Sequence, residues 1–428
     1  MLKFSIETKI PGALGRAGTI DTPHGKIQTP AFIPVGTKAT IKSLSPEQVA
    51  SLGADAILAN TYHLYLQPGT DILKKAGGLG KFMNWSGPTF TDSGGFQAFS
   101  LGPAFGKSMS KVEVRTNEPE LDMGEDTLHS AMSASIAAAD HGRTRVSEPI
   151  SGEGEVVRMA KIDDDGVTFK SVIDGSTHRF TPEKSIQIQH DIAADIIFAF
   201  DECLSPQESY DKQKAAVERT RVWAERCLSE HQRLNKAEGT GNSLFGIVQG
   251  GRHEDLRTSA ARTIGTMDFD GFGIGGSFDK NDIGTAVGWV CRELPENKPR
   301  HLLGIGEPED LILGVEHGID TFDCVAPTRI ARNGAAYVRS GRTSARQGRI
   351  NLFNAEFVSD FTPIEKDCGC YTCTHYTKAY IAHLFRAKEM LAATLTSIHN
   401  LYFLVHLVKE ARQAIIDGRW EEFKQKRS

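Results

Sequence analysis

The stretch Ile196-Ile-Phe-Ala-Phe-Asp201 is a short apolar run that ends on a carboxylate. This pattern is typical of a buried strand that brings a polar side chain to its carboxyl end. Seven further runs close on a polar residue or a glycine, or just before one, and they cover residues 31–35, 56–60, 89–92, 244–249, 271–276, 301–304 and 321–325. Together the runs predict eight buried β-strands.

Amphipathic stretches lie between most of these runs, including residues 46–52, 182–192, 207–234, 254–264 and 308–317. Several begin with Ser-Pro-Glu, Thr-Pro-Glu or Glu-Pro-Glu, which suits a helix N-terminus. Strands that alternate with helices indicate a parallel sheet, and eight repeats predict a (β/α)8 TIM barrel. A doubly wound sheet is the structural alternative. In a barrel, the strand ends place these residues at one mouth: Asn60, Asp92, Asp201, Gln249, Gly276 and Asp323.

Two regions interrupt the alternation and suggest a division of the chain. Residues 1–100 hold N-terminal strands and the first part of the barrel, and residues 101–160 form an insertion after the third strand, with some helix and no strand or site signal. Residues 161–328 contain a β-hairpin, marked by two Asp-Gly pairs, and the remainder of the barrel. Residues 329–428 form a C-terminal subdomain with a basic segment, a metal site and the final helices.

The metal site is predicted from Cys368, Cys370, Cys373 and His399. Thiolate and imidazole are ligands that zinc prefers, and three cysteines this close together make a poor disulfide framework. Four protein ligands leave no open position for water, so the sequence predicts one structural Zn²⁺. A set of free buried thiols is the alternative.

Composition restricts the class of protein. The chain has 428 residues, 39% of them hydrophobic, which is enough for a large core. No apolar run approaches the roughly 18 residues that a membrane helix needs, so no membrane span is expected. Four of the seven cysteines are scattered singly, which suits a reducing compartment. A cytoplasmic protein without membrane contact is therefore predicted.

Charge gives a weaker indication of a partner. The net charge of −5 argues against a sequence-blind nucleic-acid binder. Residues 325–355, however, lack Asp and Glu and carry Arg329, Arg332, Arg339, Arg342, Arg346 and Arg349. Such a stretch suggests contact with a phosphate-rich polymer, although a solvated loop surface is the alternative.

Two motifs carry the predicted chemistry. Thr-Asp-Ser-Gly-Gly-Phe-Gln at 91–97 places Asp92 at one strand end, and Phe-Asp-Cys-Val-Ala-Pro-Thr-Arg at 322–329 places Asp323 at another. Two carboxylates at one barrel mouth can cleave a glycosidic bond with retention, one as nucleophile and one as acid and base. Alternatively, one of them is a helix cap or a salt-bridge partner.

These two motifs occur in order with Phe-Asp-Glu-Cys (200–203), Gly-Ile-Val-Gln-Gly-Gly (246–251), Ile-Gly-Gly (274–276) and the cysteine–histidine set. The combination resembles bacterial tRNA-guanine transglycosylase over nearly the whole chain, apart from the insertion. The resemblance implies a zinc-bearing (β/α)8 barrel and a homodimer. It also implies an enzyme that exchanges guanine at the wobble position of tRNAs with a G-U-N anticodon for a 7-deazaguanine, on the route to queuosine.

The resemblance also implies roles for individual residues. Asp323 is the expected nucleophile, which forms a covalent intermediate with the RNA, and Asp92 is the expected general acid and base. The residues expected to bind the base are Phe96, Asp201, Cys203, Gln249, Gly276 and Leu303. The residues expected to contact RNA are Thr328, Arg329 and Arg332.

Residues 277–280, Ser-Phe-Asp-Lys, depart from the family pattern beside the space for the 7-substituent of the base. The aminomethyl precursor preQ1 is slightly favoured as the incoming base, and queuine is the alternative. A non-catalytic partner subunit would be expected to lose a catalytic aspartate, and this chain has both. A metal-dependent hydrolase would need an open metal position and histidines at strand ends, and no strand end supplies a His pair.

Overall fold

A computed structural model of the protein describes residues 2–100, 112–113, 160–239, 241–276, 278–279, 283–339 and 348–427. Its centre is a parallel sheet of eight strands. We label them in chain order as β1 (Ala31–Pro34), β2 (Ile57–Ala59), β3 (Thr89–Thr91), β4 (Ile196–Phe198), β5 (Ser243–Val248), β6 (Gly271–Ile274), β7 (Arg300–Leu302) and β8 (Thr321–Cys324).

The order of the strands in the sheet follows the chain, and the sheet closes on itself. Strand β8 pairs in parallel with β1, and a bridge between Val35 and Leu58 joins β1 to β2. A doubly wound sheet would be open and would reverse its strand order, so the (β/α)8 barrel prediction is confirmed. Each strand overlaps its predicted run and starts no more than one residue before it.

Helices connect the strands. They are Pro46–Ser51, Thr61–Leu66, Thr70–Ala76, Leu79–Met83, Gly95–Ser100, Pro182–Ile192, Tyr210–Glu238, Glu254–Gly265, Ile283–Glu293, Pro308–Glu316 and Ala326–Arg332. The predicted helix starts at Pro46, Pro182 and Pro308 are confirmed, and two of them carry side-chain caps. Ser45 and Gln48 form a capping box, and Thr181 accepts a hydrogen bond from the Lys184 amide, in each case before a proline in the first turn.

A small core fills the interior of the barrel and supports the mouth from below. Phe90, Phe198 and Phe245 point into it from three strands, and all are fully buried. The opposite end is covered by an N-terminal antiparallel sheet of Lys3–Lys9, Arg16–Thr22 and Gly25–Thr29, whose Ile20 and Ile27 belong to the same core. The mouth is therefore the open end of a packed barrel.

The segment after the third strand forms a sheet of its own. Strands Ala160–Asp163, Gly166–Lys170 and Thr177–Phe180 pair antiparallel, which confirms the predicted hairpin and adds a strand to it. Within the insertion, Val112–Glu113 pairs in parallel with Phe278–Asp279, a short strand pair for which the sequence carries no signal. The remainder of the insertion, with the predicted helical stretch near residues 131–139, lies outside the described residues.

The C-terminal subdomain packs around a second core. It contains the antiparallel strands Ala335–Tyr337 and Arg349–Asn351, a short 3-10 helix at Ala355–Phe357, and the helices Tyr371–His375, Lys378–Arg386, Met390–Ile416 and Trp420–Arg427. Cys370 and Cys373 are part of this core. The long helix Met390–Ile416 contributes Leu395 to it and Leu404 to the main core, so one helix joins the subdomain to the barrel.

The same helix corrects one expectation from the sequence. Met390–Ile416 has 27 residues and is long and apolar enough to cross a membrane, and it is the single such helix in the described parts of the chain. However, 67% of its most apolar window is buried within the protein. Its composition is that of a core helix, which needs the same apolar character as a membrane span.

Candidate active site

A pocket opens at the carboxyl ends of the barrel strands. It is lined by Asp92 and by all six residues predicted to bind the base, Phe96, Asp201, Cys203, Gln249, Gly276 and Leu303. These residues come from five successive strand ends, and they meet because parallel strands of a barrel finish at one mouth. The predicted site is thus one cavity with polar groups on some walls and apolar side chains on others.

Asp92 follows β3 and is held by three donors. Its Oδ2 accepts hydrogen bonds from Asn60 Nδ2 at 2.6 Å and Gln97 Nε2 at 2.9 Å. Its Oδ1 accepts from the Thr61 amide at 2.8 Å. Hydrogen bonds to both oxygens fix the plane of the Asp92 carboxylate in the pocket wall.

Asp201 follows β4 and pairs with Gln249 at the end of β5. Gln249 Nε2 donates to Asp201 Oδ2 at 2.6 Å, and Ser93 Oγ donates to Oδ1 at 3.1 Å. Both Asp201 and Gln249 are about 95% buried, at 6% and 5% exposure. A buried carboxylate beside a buried amide can match a ligand edge that carries both N–H donors and a carbonyl acceptor.

The loop after β6 approaches the pocket through Gly275 and Gly276. Gly276 has a φ of +113°, and a Cβ there would lie 2.4 Å from Nη2 of Arg257, so no larger residue fits. The buried Arg257 donates to the carbonyls of Val248 at 3.2 Å, Gly251 at 2.9 Å and Gly275 at 2.7 Å. One guanidinium therefore ties together the loops that present Gln249 and Gly276.

Burial lowers the pKa of Arg257 to about 10, while the nearby Cys203 acts to raise it. The arginine therefore stays protonated at neutral pH.

Burial has the opposite effect on the Cys324 thiol, next to Asp323, and raises its pKa to about 12. Cys324 is a neutral thiol at physiological pH and is a poor candidate for a competing nucleophile.

Asp323 lies on β8 and is 8% exposed. Its Oδ1 is 3.0 Å from His301 Nε2 and accepts a hydrogen bond from the Gly304 amide at 2.8 Å. Asp323 is not among the residues that line the pocket, but Leu303, which lines it, precedes Gly304. The structure thus places Asp323 beside the pocket wall and Asp92 in the wall itself.

The predicted RNA contacts lie on the helix Ala326–Arg332, directly after β8. Thr328 is 6% exposed, and its hydroxyl donates to the Val325 carbonyl at 3.3 Å. Arg329 and Arg332 are both partly exposed. Of the other arginines in the basic stretch, Arg339 and Arg349 form ion pairs with Glu410 and Glu307, and Arg342 and Arg346 lie outside the described residues.

The cysteines and the histidine of the predicted metal site come together. The ligand atoms of Cys368, Cys370, Cys373 and His399 all lie within 4.8 Å of one another. The distances from His399 Nδ1 to the sulfurs are 3.8, 3.6 and 3.2 Å, close to the roughly 3.5 Å that tetrahedral ligands of zinc show. His399 Nε2 donates to the Tyr337 carbonyl at 2.7 Å, so Nδ1 is the nitrogen available to a metal ion. The donor set therefore fits a metal ion.

Comparisons with known proteins agree with this arrangement. The profile of the queuine tRNA-ribosyltransferase family matches residues 12–125 and 117–428. The queuine tRNA-ribosyltransferase of Thermoanaerobacter pseudethanolicus is 43% identical over 426 residues, covering 99% of this chain and 96% of that protein. The protein of the same name from Pelotomaculum thermopropionicum is 42% identical over 426 residues, and that from Roseiflexus sp. strain RS-1 is 43% identical over 427 residues. These cover 99% and 98% of this chain and 97% of each relative.

The chain belongs to the queuine tRNA-ribosyltransferase family. The resemblance stated from the sequence motifs is therefore confirmed, and so is the predicted class of enzyme, a pentosyltransferase. Membership also agrees with the observed barrel and the cysteine–histidine cluster, since both were expected of this family.

Several members of the site were not identified as functional from the sequence. Gln97 and Thr61 hold Asp92, Ser93 holds Asp201, and Arg257 supports two loops from a helix. Ser93 and Gln97 lie inside the quoted 91–97 motif, so their position was a usable signal. Arg257 was missed because an arginine in an amphipathic helix is normally a surface residue, although its spacing from Ala260, Ala261 and Ile264 puts it on the buried face.

Proposed function

We propose that this enzyme exchanges guanine at the wobble position of G-U-N tRNAs for a 7-deazaguanine, with preQ1 as the favoured base, on the route to queuosine. The observation that supports the proposal best is the single pocket in which Asp92, Asp201 and Gln249 face one space. A base can reach such a pocket only after it is flipped out of the RNA stack, and flipped bases are held by edge hydrogen bonds and apolar faces.

In the first half of the proposed reaction, an Asp323 carboxylate oxygen attacks C1′ of the nucleotide. The bond between C1′ and N9 of guanine breaks, and Asp92 protonates the departing base. The product is a ribosyl ester of Asp323, which keeps the RNA attached to the protein. Two displacements at one carbon retain the configuration at C1′.

In the second half, the incoming base attacks C1′ of the ester and gives a proton to Asp92. The bond between C1′ and the Asp323 oxygen breaks, and the free carboxylate returns. Each group therefore ends in the state in which it began, and no external oxidant or cofactor is needed for the exchange.

The pocket accounts for recognition of the base. In the proposed complex, Asp201 accepts hydrogen bonds from the N–H groups on the Watson–Crick edge, and Gln249 with the Gly276 amide donates to the carbonyl oxygen. Phe96 and Leu303 pack on the two faces of the ring, and Cys203 lines the same space. Guanine and 7-deazaguanines share this edge, which is why one pocket can serve both half-reactions.

The proposed assembly includes tRNA, one structural zinc ion per subunit and a second copy of the chain. Zinc at the cysteine–histidine cluster would hold the C-terminal subdomain and take no part in bond cleavage. Arg329 and Arg332, with Thr328 on the same helix, are the proposed contacts with the anticodon loop. We also propose a cytoplasmic location, where tRNA is found, and sedimentation of the purified protein tests the homodimer.

The direct test is incorporation of labelled guanine into a G-U-N tRNA. The wild-type protein should incorporate label and form an adduct with RNA that survives denaturation, whereas Asp323→Asn should form none. Asp174→Asn, on the exposed hairpin, is the matched control and should behave as wild type. Label incorporation by Asp323→Asn would overturn the nucleophile assignment, and competition between preQ1 and queuine in the same assay decides the incoming base.

A further inference from the structure

His301 is a fully buried histidine in contact with the proposed nucleophile. It lies on β7, and its ring packs between Phe90 and Phe198, with ring centroids 5.6 and 5.2 Å away. Nε2 is 3.0 Å from Asp323 Oδ1, and Nδ1 is 2.8 Å from Thr321 Oγ1. Thr321 and Asp323 alternate on β8 and so point to the same face, which makes a short chain from Thr321 through His301 to Asp323.

The partners determine which nitrogen carries the proton. An ionised carboxylate only accepts hydrogen bonds, so Nε2 must donate to Asp323. In the neutral imidazole, Nδ1 is then an acceptor, and the Thr321 hydroxyl donates to it. Oδ1 of Asp323 receives a second hydrogen bond from the Gly304 amide at 2.8 Å. Two donors therefore converge on one oxygen of the carboxylate.

We propose that His301 is a positioning residue that holds Asp323 Oδ1 and sets the balance between the free carboxylate and the covalent ester. The inference rests on the proposed role of Asp323. With Oδ1 held, Oδ2 forms the bond to C1′, and Oδ1 becomes the carbonyl oxygen of the ester. The His301 proton stays on Nε2 throughout both half-reactions.

The direction in which His301 shifts the balance between free carboxylate and ester follows from the charge on Asp323. A hydrogen bond to a carboxylate is roughly twice as strong as one to a neutral carbonyl, so the His301 N–H stabilises the free carboxylate more than the ester. It therefore favours release of the RNA from Asp323. Loss of this donor should make the covalent intermediate accumulate, which is the opposite of what a merely misplaced nucleophile would do.

The experiment measures the fraction of protein in the denaturation-resistant adduct at a fixed guanine concentration, and the rate at which added base discharges it. His301→Phe should raise the ratio of adduct to free enzyme on the order of tenfold and slow its discharge. His301→Gln, which keeps one N–H donor, should move both values back toward wild type. The kcat/KM for tRNA, which depends on the first half-reaction alone, should not fall in either variant.

A second pair of variants leaves the imidazole in place. Thr321→Val removes the hydroxyl that holds Nδ1 and should raise the adduct fraction by a smaller factor, while Thr321→Ser should match wild type. This pair remains informative if His301→Phe does not fold. Wild-type protein that forms no adduct would overturn the proposed function itself. Variants that match wild type, or that lose adduct and turnover together, would overturn the role of His301 alone.

Discussion

Asn400 Nδ2 donates a hydrogen bond to the backbone carbonyl of Pro327 at 3.0 Å, and its neighbour His399 belongs to the cysteine–histidine cluster. The same amide nitrogen donates to the Ala335 carbonyl at 3.0 Å, and Oδ1 accepts from the Tyr337 amide at 3.0 Å. Asn400 thus holds both ends of the segment that follows Asp323. Two consecutive residues of one helix link the metal cluster to the end of β8.

We predict that Asn400→Ala weakens tRNA binding without loss of the metal ion. The variant leaves three buried backbone groups without their partner, which should lower the free energy of unfolding by about 3 kcal/mol. Cys373→Ser, in contrast, should lose the metal and unfold the subdomain. Metal content, thermal melting and the Kd for tRNA separate the two cases. Gln413→Ala, at an exposed position of the same helix, should change none of them.

Arg257→Lys should raise the KM for the base more than the KM for tRNA. Lysine keeps the charge but loses the fork that reaches the carbonyls of Gly251 and Gly275, so Gln249 and Gly276 lose their fixed positions. We expect about a tenfold rise in the KM for guanine, since small displacements of positioning groups are costly. Arg262→Lys, exposed on the same helix, is the control. Equal effects of the two substitutions would contradict a positioning role.

The sequence was sufficient to predict the barrel, because buried parallel strands are continuous apolar runs that end on polar residues. The runs at 196–201 and 321–325 show this directly, since the first ends at Asp201 and the second carries Asp323. The cysteine–histidine spacing was equally informative, because ligands close together in the chain need little help from the fold to meet. His399 lies 26 residues after Cys373 in the chain, yet it too was correctly predicted as a member of the cluster.

Other parts of the site depend on contacts between distant segments. Arg257 lies on the buried face of its helix with Ala260, Ala261 and Ile264, but its contact with the loop of Gly275 is made through the barrel fold. His301 was included in a predicted strand, but its contact with Asp323 depends on the register between β7 and β8. The pairing of 112–113 with 278–279 likewise joins two segments that carry no strand pattern. Such features follow from tertiary structure and have no local signal.

Asp201→Asn should weaken binding of the base far more than Ser93→Ala. Asparagine replaces one acceptor oxygen with a donor, which would face the N–H groups of the base and the Gln249 amide. The expected rise in the KM for guanine is about 100-fold, since hydrogen bonds to a charged group contribute roughly 1.5–3 kcal/mol. Ser93→Ala removes only the hydrogen bond from Ser93 that orients Asp201, and it should raise the KM for guanine about fivefold. Steady-state kinetics with labelled guanine makes the comparison, and similar values for both variants would argue against Asp201 as the reader of the base edge.

Acid should destabilise the protein through a buried pair of histidines that do not line the pocket. His190 Nε2 and His231 Nδ1 are 2.9 Å apart, and their residues are 4% and 6% exposed. Burial lowers the pKa of both imidazoles to about 4, with repulsion from His231 adding to the shift of His190 and nearby Glu230 opposing it.

The direction in which the free energy of unfolding changes with pH follows from proton uptake. Above the ordinary histidine pKa of about 6.5, the pair is neutral in the folded and unfolded states, and stability does not depend on it. Between about pH 6.5 and pH 4, the unfolded chain binds protons that the folded protein does not, so the free energy of unfolding falls as the pH falls. From pH 6.5 to pH 5, the loss should be roughly 1.5 kcal/mol for each histidine. Urea unfolding at several pH values measures it. His231→Gln should flatten this dependence, whereas His383→Gln, at an exposed position, should leave it as in wild type. Because the metal cluster is present in all three proteins, its own acid sensitivity cancels in the comparison, and parallel curves for wild type and His231→Gln would contradict the prediction.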